Sequence, residues 1–214
     1  MRRIPVAAAL AGLVVALLTV VTPAASAAEI DVRDMDFASR SDLNEFAYVC
    51  GGAASGARYW RQYGSPYRGN ASAGYRPVST GSGIGPFAWT STPGSLSELS
   101  IKMWRAGSQP VGRGELIVFF YVNGNSDYWM GRQQFTNSIG NSWAVRNGLT
   151  LSLSWRHFQN GAQVGTYTGT LAQFTGGNNG QGAWVGFTQG CNGESFLLDD
   201  FRVGANVYDL EGPT

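Results

Sequence analysis

The sequence predicts an all-β protein, a two-sheet antiparallel β-sandwich of jelly-roll type. Three observations predict it. Apolar residues recur with period two in short runs. Glycine is abundant, 30 residues of 214, and falls between those runs. Helical periodicity is hard to find after residue 28. Many short strands joined by Gly-rich turns bury their apolar faces by stacking one sheet on another.

The N-terminal segment comes first. Arg2 and Arg3 precede an apolar run from Val6 to Val21, and Ala25-Ser26-Ala27 is a small-x-small cleavage signature. That order marks a secretory signal over residues 1–27, so the mature chain of residues 28–214 is expected to be secreted. The apolar run is short for a bilayer span and no stop-transfer charge follows it. Residues 28–214 fit a single β-sandwich domain, long enough to bury a core.

Charge excludes some partners. Without Arg2 and Arg3, the 15 basic residues fall to 13 against 14 acidic ones, a net charge near −1. The arginines are scattered and Lys102 is the single mature lysine. Such a balance gives no pull toward nucleic acid or anionic membrane. A monomer is the expected state. The two cysteines, Cys50 and Cys191, form an isolated pair. In an oxidising compartment such a pair forms a disulfide, which by chain entropy is worth up to about 5 kcal/mol.

Parity then assigns the strands. Leu99, Ile101 and Met103 form one face of a strand, with Ser100, Lys102 and Trp104 on the other. Leu116 to Val122 is apolar on both faces and reads as a covered central strand. Asn123-Gly124-Asn125 turns the chain and Tyr128 to Phe135 returns, a hairpin signal. Leu149, Leu151, Leu153 and Trp155 alternate with Thr150, Ser152, Ser154 and Arg156, so residues 149–156 read as one half-buried strand. Asn160-Gly161 is the next turn, followed by Gln163 to Thr168. Trp184 to Thr188 and Phe196 to Val203 read as the last pair. Residues 64–93, rich in Gly, Ser and Pro, read as long loops with short strands. An antiparallel pairing of Met35–Phe37 with Phe201–Val203 would give residue numbers summing to about 240. Cys50 and Cys191 sum to 241, which agrees with neighbouring first and last strands.

Catalytic sets are sparse. Glycoside hydrolysis needs two carboxyl groups across one sugar bond. Asp34 and Asp36 have strand-face spacing but lie near the mature N-terminus, while Asp199 and Asp200 are adjacent and point to opposite faces. Glu98 and Glu115 lie at strand starts. His157 is the only histidine, no Gly-x-Ser-x-Gly elbow is present, and its parity with Leu149 to Trp155 places it near the core edge. A polysaccharide lyase needs a Tyr or His base and Arg or Gln to neutralise the sugar acid. Tyr128, Arg132, Arg156 and His157 supply those types, with Gln134 beside them.

Aromatic content points to binding instead. The chain holds 7 Trp, 9 Tyr and 11 Phe with few charges. Sugar rings pack their C–H faces on aromatic rings, and their hydroxyls seek Asn, Gln, Asp and Arg. Trp60, Trp89, Trp104, Trp129 and Trp143 are candidate platforms, Trp104 first because it shares a face with Ser100 and Lys102. Trp104, Tyr128, Arg132, Gln134 and Arg156 are the expected ligand-binding residues, and a polysaccharide or glycan the expected partner. A lyase or hydrolase on the same fold is the enzymatic alternative, and a secreted protein-interaction or matrix protein the third.

The run Gly186-Phe187-Thr188, followed by Glu194 to Val203 with its Asp199-Asp200 pair, resembles the closing hairpin of secreted jelly-roll carbohydrate-binding modules and concanavalin A-like domains. Met35-Asp36-Phe37 with Ser41-Asp42-Leu43 resembles their opening strand. The resemblance implies carbohydrate binding, and a structural calcium with Asp199 and Asp36 as ligands. The chain departs from the pattern at Ala38, where many such modules carry an acidic residue.

Overall fold

The computed structural model describes residues 29–32, 43–49, 52–53, 57–64, 66–77, 82–105, 113–124, 126–176, 182–188 and 195–211. Residues 1–27, Asp36, Cys50 and Cys191 lie outside the described residues. In chain order the elements are β1 (Glu29–Val32), β2 (Leu43–Val49), β3 (Gly52–Ala53), β4 (Ala57–Gln62), β5 (Ser72–Pro77), β6 (Ser82–Thr90), β7 (Leu99–Arg105), β8 (Glu115–Tyr121), β9 (Asp127–Gln134) and β10 (Ala144–Asn147). There follow β11 (Leu153–Gln159), β12 (Ala162–Gly169), α1 (Leu171–Thr175), β13 (Ala183–Thr188), β14 (Phe196–Val203) and β15 (Asn206–Leu210).

These strands form two sheets. One has eight strands in the order β12-β11-β9-β8-β13-β6-β2-β3. The other has seven: β1-β15-β14-β5-β4, with β7 on β14 and β10 on β7. Apolar residues of both sheets meet in one core. Leu99, Ile101 and Met103 come from β7; Leu116 and Val118 from β8; Val185 and Phe187 from β13; Phe196, Leu198, Phe201 and Val203 from β14. The protein is thus a β-sandwich, antiparallel throughout except where β1 pairs with β15 in parallel.

Local chemistry explains several elements. Leu116 to Val122 is central as its pattern predicts, because β8 lies between β9 and β13. Asn160 (φ 50) and Gly161 (φ 82) both take positive φ and close the β11–β12 hairpin, as Asn-Gly favours. At Gly131 the chain carries no Cβ because the Trp155 ring lies over that position. Trp155 is fully buried, its Nε1 donates to the Gly169 carbonyl at 3.0 Å, and it stacks on Phe174 with centroids 3.8 Å apart. Phe174 comes from α1, a single helical turn fixed by a capping box between Thr170 and Gln173.

Three expectations need correction. Trp184–Thr188 and Phe196–Val203 do not pair: β13 lies between β8 and β6, and β14 lies in the other sheet. Both are apolar enough to be central strands, so each is covered on two edges rather than by the other. Met35–Phe37, expected beside Phe201–Val203, lies outside the described residues; Phe201 to Val203 pairs with β15, and Arg202 and Val203 also with β7. The strand expected from Leu149 begins only at Leu153. Leu149 and Thr150 turn instead, with the Leu151 N–H donating to the Gly148 carbonyl, and Leu149 and Leu151 still pack against the core. Finally, residues 64–93 contain two full strands, β5 and β6, and Ala73 and Tyr75 of β5 are fully buried.

The adjacent Asp199 and Asp200 mark a bulge in β14. Before it the core residues are even-numbered, Phe196 and Leu198; after it they are odd-numbered, Phe201 and Val203. The register with β7 shifts there, and Asp200 takes φ 46. One edge of β14 runs along β7. The other carries β5 against Phe196–Leu198 and β15 against Phe201–Val203. The bulge keeps both halves facing the core while the partner strand changes.

Candidate functional site

The outer face of the eight-stranded sheet holds most of the expected binding residues. Cross-strand register orders them in rows. Trp89, Trp184, Phe119, Met130 and Arg156 lie side by side across β6, β13, β8, β9 and β11. The next row is Phe87, Gly186, Ile117, Arg132 and Ser154. Tyr121, Tyr128 and Phe158 form a row at one end, and Glu115 with Gln134 forms one at the other. The face therefore grades from aromatic to polar.

Aromatic packing fixes the first part. Phe87, Ile117 and Phe119 form a small buried cluster separate from the main core, with Tyr121, Tyr128, Met130 and Trp184 packed around it. Gly186 makes this possible: Phe87 lies across the position where its side chain would stand. Trp89 meets Trp184 edge-on at 5.6 Å and stays 38% exposed. Tyr128 stacks on Phe158 at 5.3 Å. Burial, and then the neighbouring Tyr128, push the Tyr121 hydroxyl above the usual tyrosine pKa.

The polar end is a groove of about 260 Å³ lined by Glu115, Met130, Arg132, Gln133, Gln134, Ser154 and Arg156. Arg132 grips Glu115 with two parallel hydrogen bonds, Nε to Oε1 at 3.0 Å and Nη2 to Oε2 at 2.9 Å. That bidentate geometry fixes both side chains. Arg156 is exposed beside it.

The structure brings Tyr128, Arg132, Gln134 and Arg156 to this one face. It does not bring His157 there. His157 pairs in register with Trp129, on the opposite side of the sheet, and stacks on it at 4.4 Å. Its Nε2 shares a hydrogen bond of 2.6 Å with Asp127 Oδ1. The hydrogen bond with His157 is the main reason Asp127 titrates below the usual carboxylate range. Of the residues a lyase could use, His157 is therefore set apart, while Tyr128, Arg132, Gln134 and Arg156 share a face. Glu115 is the carboxylate of the groove and is held by Arg132, so the described residues set no second carboxyl across from it.

Trp104 lies elsewhere. It belongs to β7 of the seven-stranded sheet, where it meets Trp143 at 5.7 Å. Trp143 in turn meets Tyr67 at 6.0 Å, and the Lys102 ammonium sits 4.3 Å above the Tyr67 ring. Two stacked sheets separate this cluster from Tyr128 and Arg132, about 10 Å of core. Trp129, a candidate platform, faces His157 and Phe174 instead. Trp60 lies on β4, and its side chain is outside the described set. Trp184 was not among the candidates. Its signal was parity: Trp184, Gly186 and Thr188 alternate with the core residues Ala183, Val185 and Phe187.

Asp199 is buried at the β14 bulge. Its Oδ2 accepts the Tyr67 and Arg68 N–H groups, each at 3.0 Å, and its Oδ1 accepts the Asp200 N–H at 2.7 Å. Burial pushes its pKa up to about 6, against the pull of these donors and of Asp209. A calcium ion wants six to eight oxygens, whereas three of the groups bonded to this carboxyl are N–H donors. Among the described residues no group of three or more His, Cys, Asp or Glu side chains is arranged to hold a metal.

No family model matches the chain, and no curated protein matches it. Solved structures are similar in fold, two of them carbohydrate-binding modules. One is the family 11 carbohydrate-binding module of a cellulosomal cellulase of Clostridium thermocellum, at 13% identity, covering 77% of this chain and 89% of that one, with a TM-score of 0.42. The other is a family 11 module from the same organism in complex with a β-1,3-1,4-mixed-linked tetrasaccharide, at 14% identity, covering 83% and 94%, with a TM-score of 0.42. Likeness at this distance carries over no ligand. The assignment of this chain as a two-sheet β-sandwich stands on its own strand pairing.

Proposed function

We propose that this chain is a secreted, non-catalytic binder of a polysaccharide or glycan, and that it binds on the outer face of the eight-stranded sheet. One observation carries the reading: the row Trp89, Trp184 and Phe119 runs directly into a groove lined by Arg132, Gln134 and Arg156. Rings take the C–H faces of a sugar, and amide, guanidinium and hydroxyl groups beside them take its hydroxyls. His157 lies on the other face of the sheet, bonded to Asp127, which leaves Tyr128 as the one candidate base beside the arginines. The leader at residues 1–27 supports export, and with it a disulfide between Cys50 and Cys191. A net charge near −1 supports the absence of a nucleic-acid or anionic-membrane partner; no described helix is long and apolar enough to cross a membrane.

The test is affinity electrophoresis of the mature chain against soluble polysaccharides, with a parallel product assay. Binding is expected without new reducing ends or unsaturated products. Trp89→Ala is expected to weaken binding about tenfold, the loss of roughly 1.4 kcal/mol of ring contact, with an unchanged melting temperature. Release of either product would refute the non-catalytic reading.

A further inference from the structure

The groove at the polar end carries a charge with no counter-ion among the described residues. Arg156 faces Met130 across one strand boundary and Thr166 across the other, both neutral. Along its own strand the same face presents Ser154 and Phe158, also neutral. The groove's one carboxylate, Glu115, is occupied by the two-pronged grip of Arg132, so that pair contributes no net charge. Arg156 makes no ion pair among the described residues, and the groove as a whole is left with one positive charge.

We infer that this groove takes a saccharide unit bearing a carboxylate, a uronate, with Arg156 as its counter-ion. The inference rests on reading the face as glycan-binding and adds the substrate class. A guanidinium presents a planar fork that matches a carboxylate with two parallel hydrogen bonds. The remaining lining suits a sugar acid. Gln134 and Ser154 supply donors for the second carboxylate oxygen or the adjacent hydroxyls, and Met130 supplies an apolar floor for ring C–H groups. The bound Glu115 is what makes the groove selective. Were it unpaired, it would repel the ligand acid; held by Arg132, it leaves the attraction of Arg156 uncancelled. The neighbouring row of Trp89, Trp184 and Phe119 lies where the next sugar of a chain would extend.

The experiment compares binding of the mature chain to polygalacturonate, to alginate, to methyl-esterified polygalacturonate and to neutral mixed-linked β-glucan, using titration calorimetry at low and high salt. An acidic glycan is expected to bind about tenfold more tightly than the esterified form, with a preference that shrinks as salt rises. Arg156→Gln is expected to abolish that preference at an unchanged melting temperature, and Arg156→Lys to restore only part of it, because an ammonium lacks the fork. Equal binding of acid and ester, or an unaffected Arg156→Gln variant, overturns the uronate inference while leaving the glycan reading intact. Failure to bind any of the four probes overturns both. Trp89→Ala separates the two claims, since it should weaken every bound probe alike.

Discussion

Placing a methyl group at Gly131 should unseat Trp155. A Cβ there would stand 2.8 Å from three carbons of the indole ring, Cδ2, Cε3 and Cζ3. Carbon atoms rest at about 3.5–4.0 Å, so the ring would have to retreat by roughly 1 Å. It has nowhere to go. Its far face stacks on Phe174 at 3.8 Å and its Nε1 is tied to the Gly169 carbonyl at 3.0 Å. Losing that hydrogen bond costs about 1 kcal/mol, and disturbing the stack about another 1 kcal/mol. The gain from replacing a strand glycine with alanine offsets about 0.5 kcal/mol. Gly131→Ala is therefore expected to cost about 2 kcal/mol, within the range for overpacked cores, and to lower Tm by about 4–8 °C. Thermal unfolding followed by tryptophan fluorescence reads it. Gly165→Ala is the control: the added carbon would meet His157 Cβ at 3.4 Å and Trp129 Cη2 at 3.5 Å, ordinary contacts, and Tm should hold or rise. Equal melting of both variants would refute the packing account.

Two further outcomes follow from the same geometry. Asp199, raised from 3.8 to about 6 by burial, binds a proton in the folded chain that it loses in the unfolded one. Its stabilising contribution is complete below about pH 4 and is lost as pH rises to about 6. Asp199→Asn should flatten the slope of Tm against pH across that window, and an unchanged slope would argue against it. Thr170→Ala should cost about 1 kcal/mol, because Thr170 Oγ1 accepts the Gln173 N–H at 3.2 Å and the Gln173 side chain returns a bond to the Thr170 N–H. Melting curves check it, with a drop of about 2–4 °C expected.

Much of this architecture was legible as parity. The faces of β7, the double-sided burial of β8 and the turn at Asn160-Gly161 follow from side-chain alternation and from residues that accept positive φ. Parity also grouped Tyr128 with Arg132 and Gln134, and placed His157 on the other face with Trp155. It would have turned Trp129 away from Tyr128 as well. What parity lacks is sheet membership, which depends on partners far along the chain. Trp104 was aligned correctly on its own strand yet belongs to the opposite sheet. The bulge at Asp199-Asp200 broke the period within β14, so two adjacent acids read as ends of an alternation when they mark a change of partner. The helical turn holding Phe174 is five residues long, too short to show a helical period. The groove was hidden for the same reason as sheet membership: Glu115, Arg132 and Arg156 come together through three strands.

The pairing of β15 sets an order of assembly. Residues 206–210 lie between β14 and β1, so the first described strand finds its partner only in the last. As the chain emerges, the seven-stranded sheet waits for nearly all of it. A translation product halted after β14 would leave Glu29–Val32 without its template and the second half of β14 with an open edge. Unpaired edges of that kind recruit other chains, so truncated products should collect as aggregates rather than as smaller folded proteins.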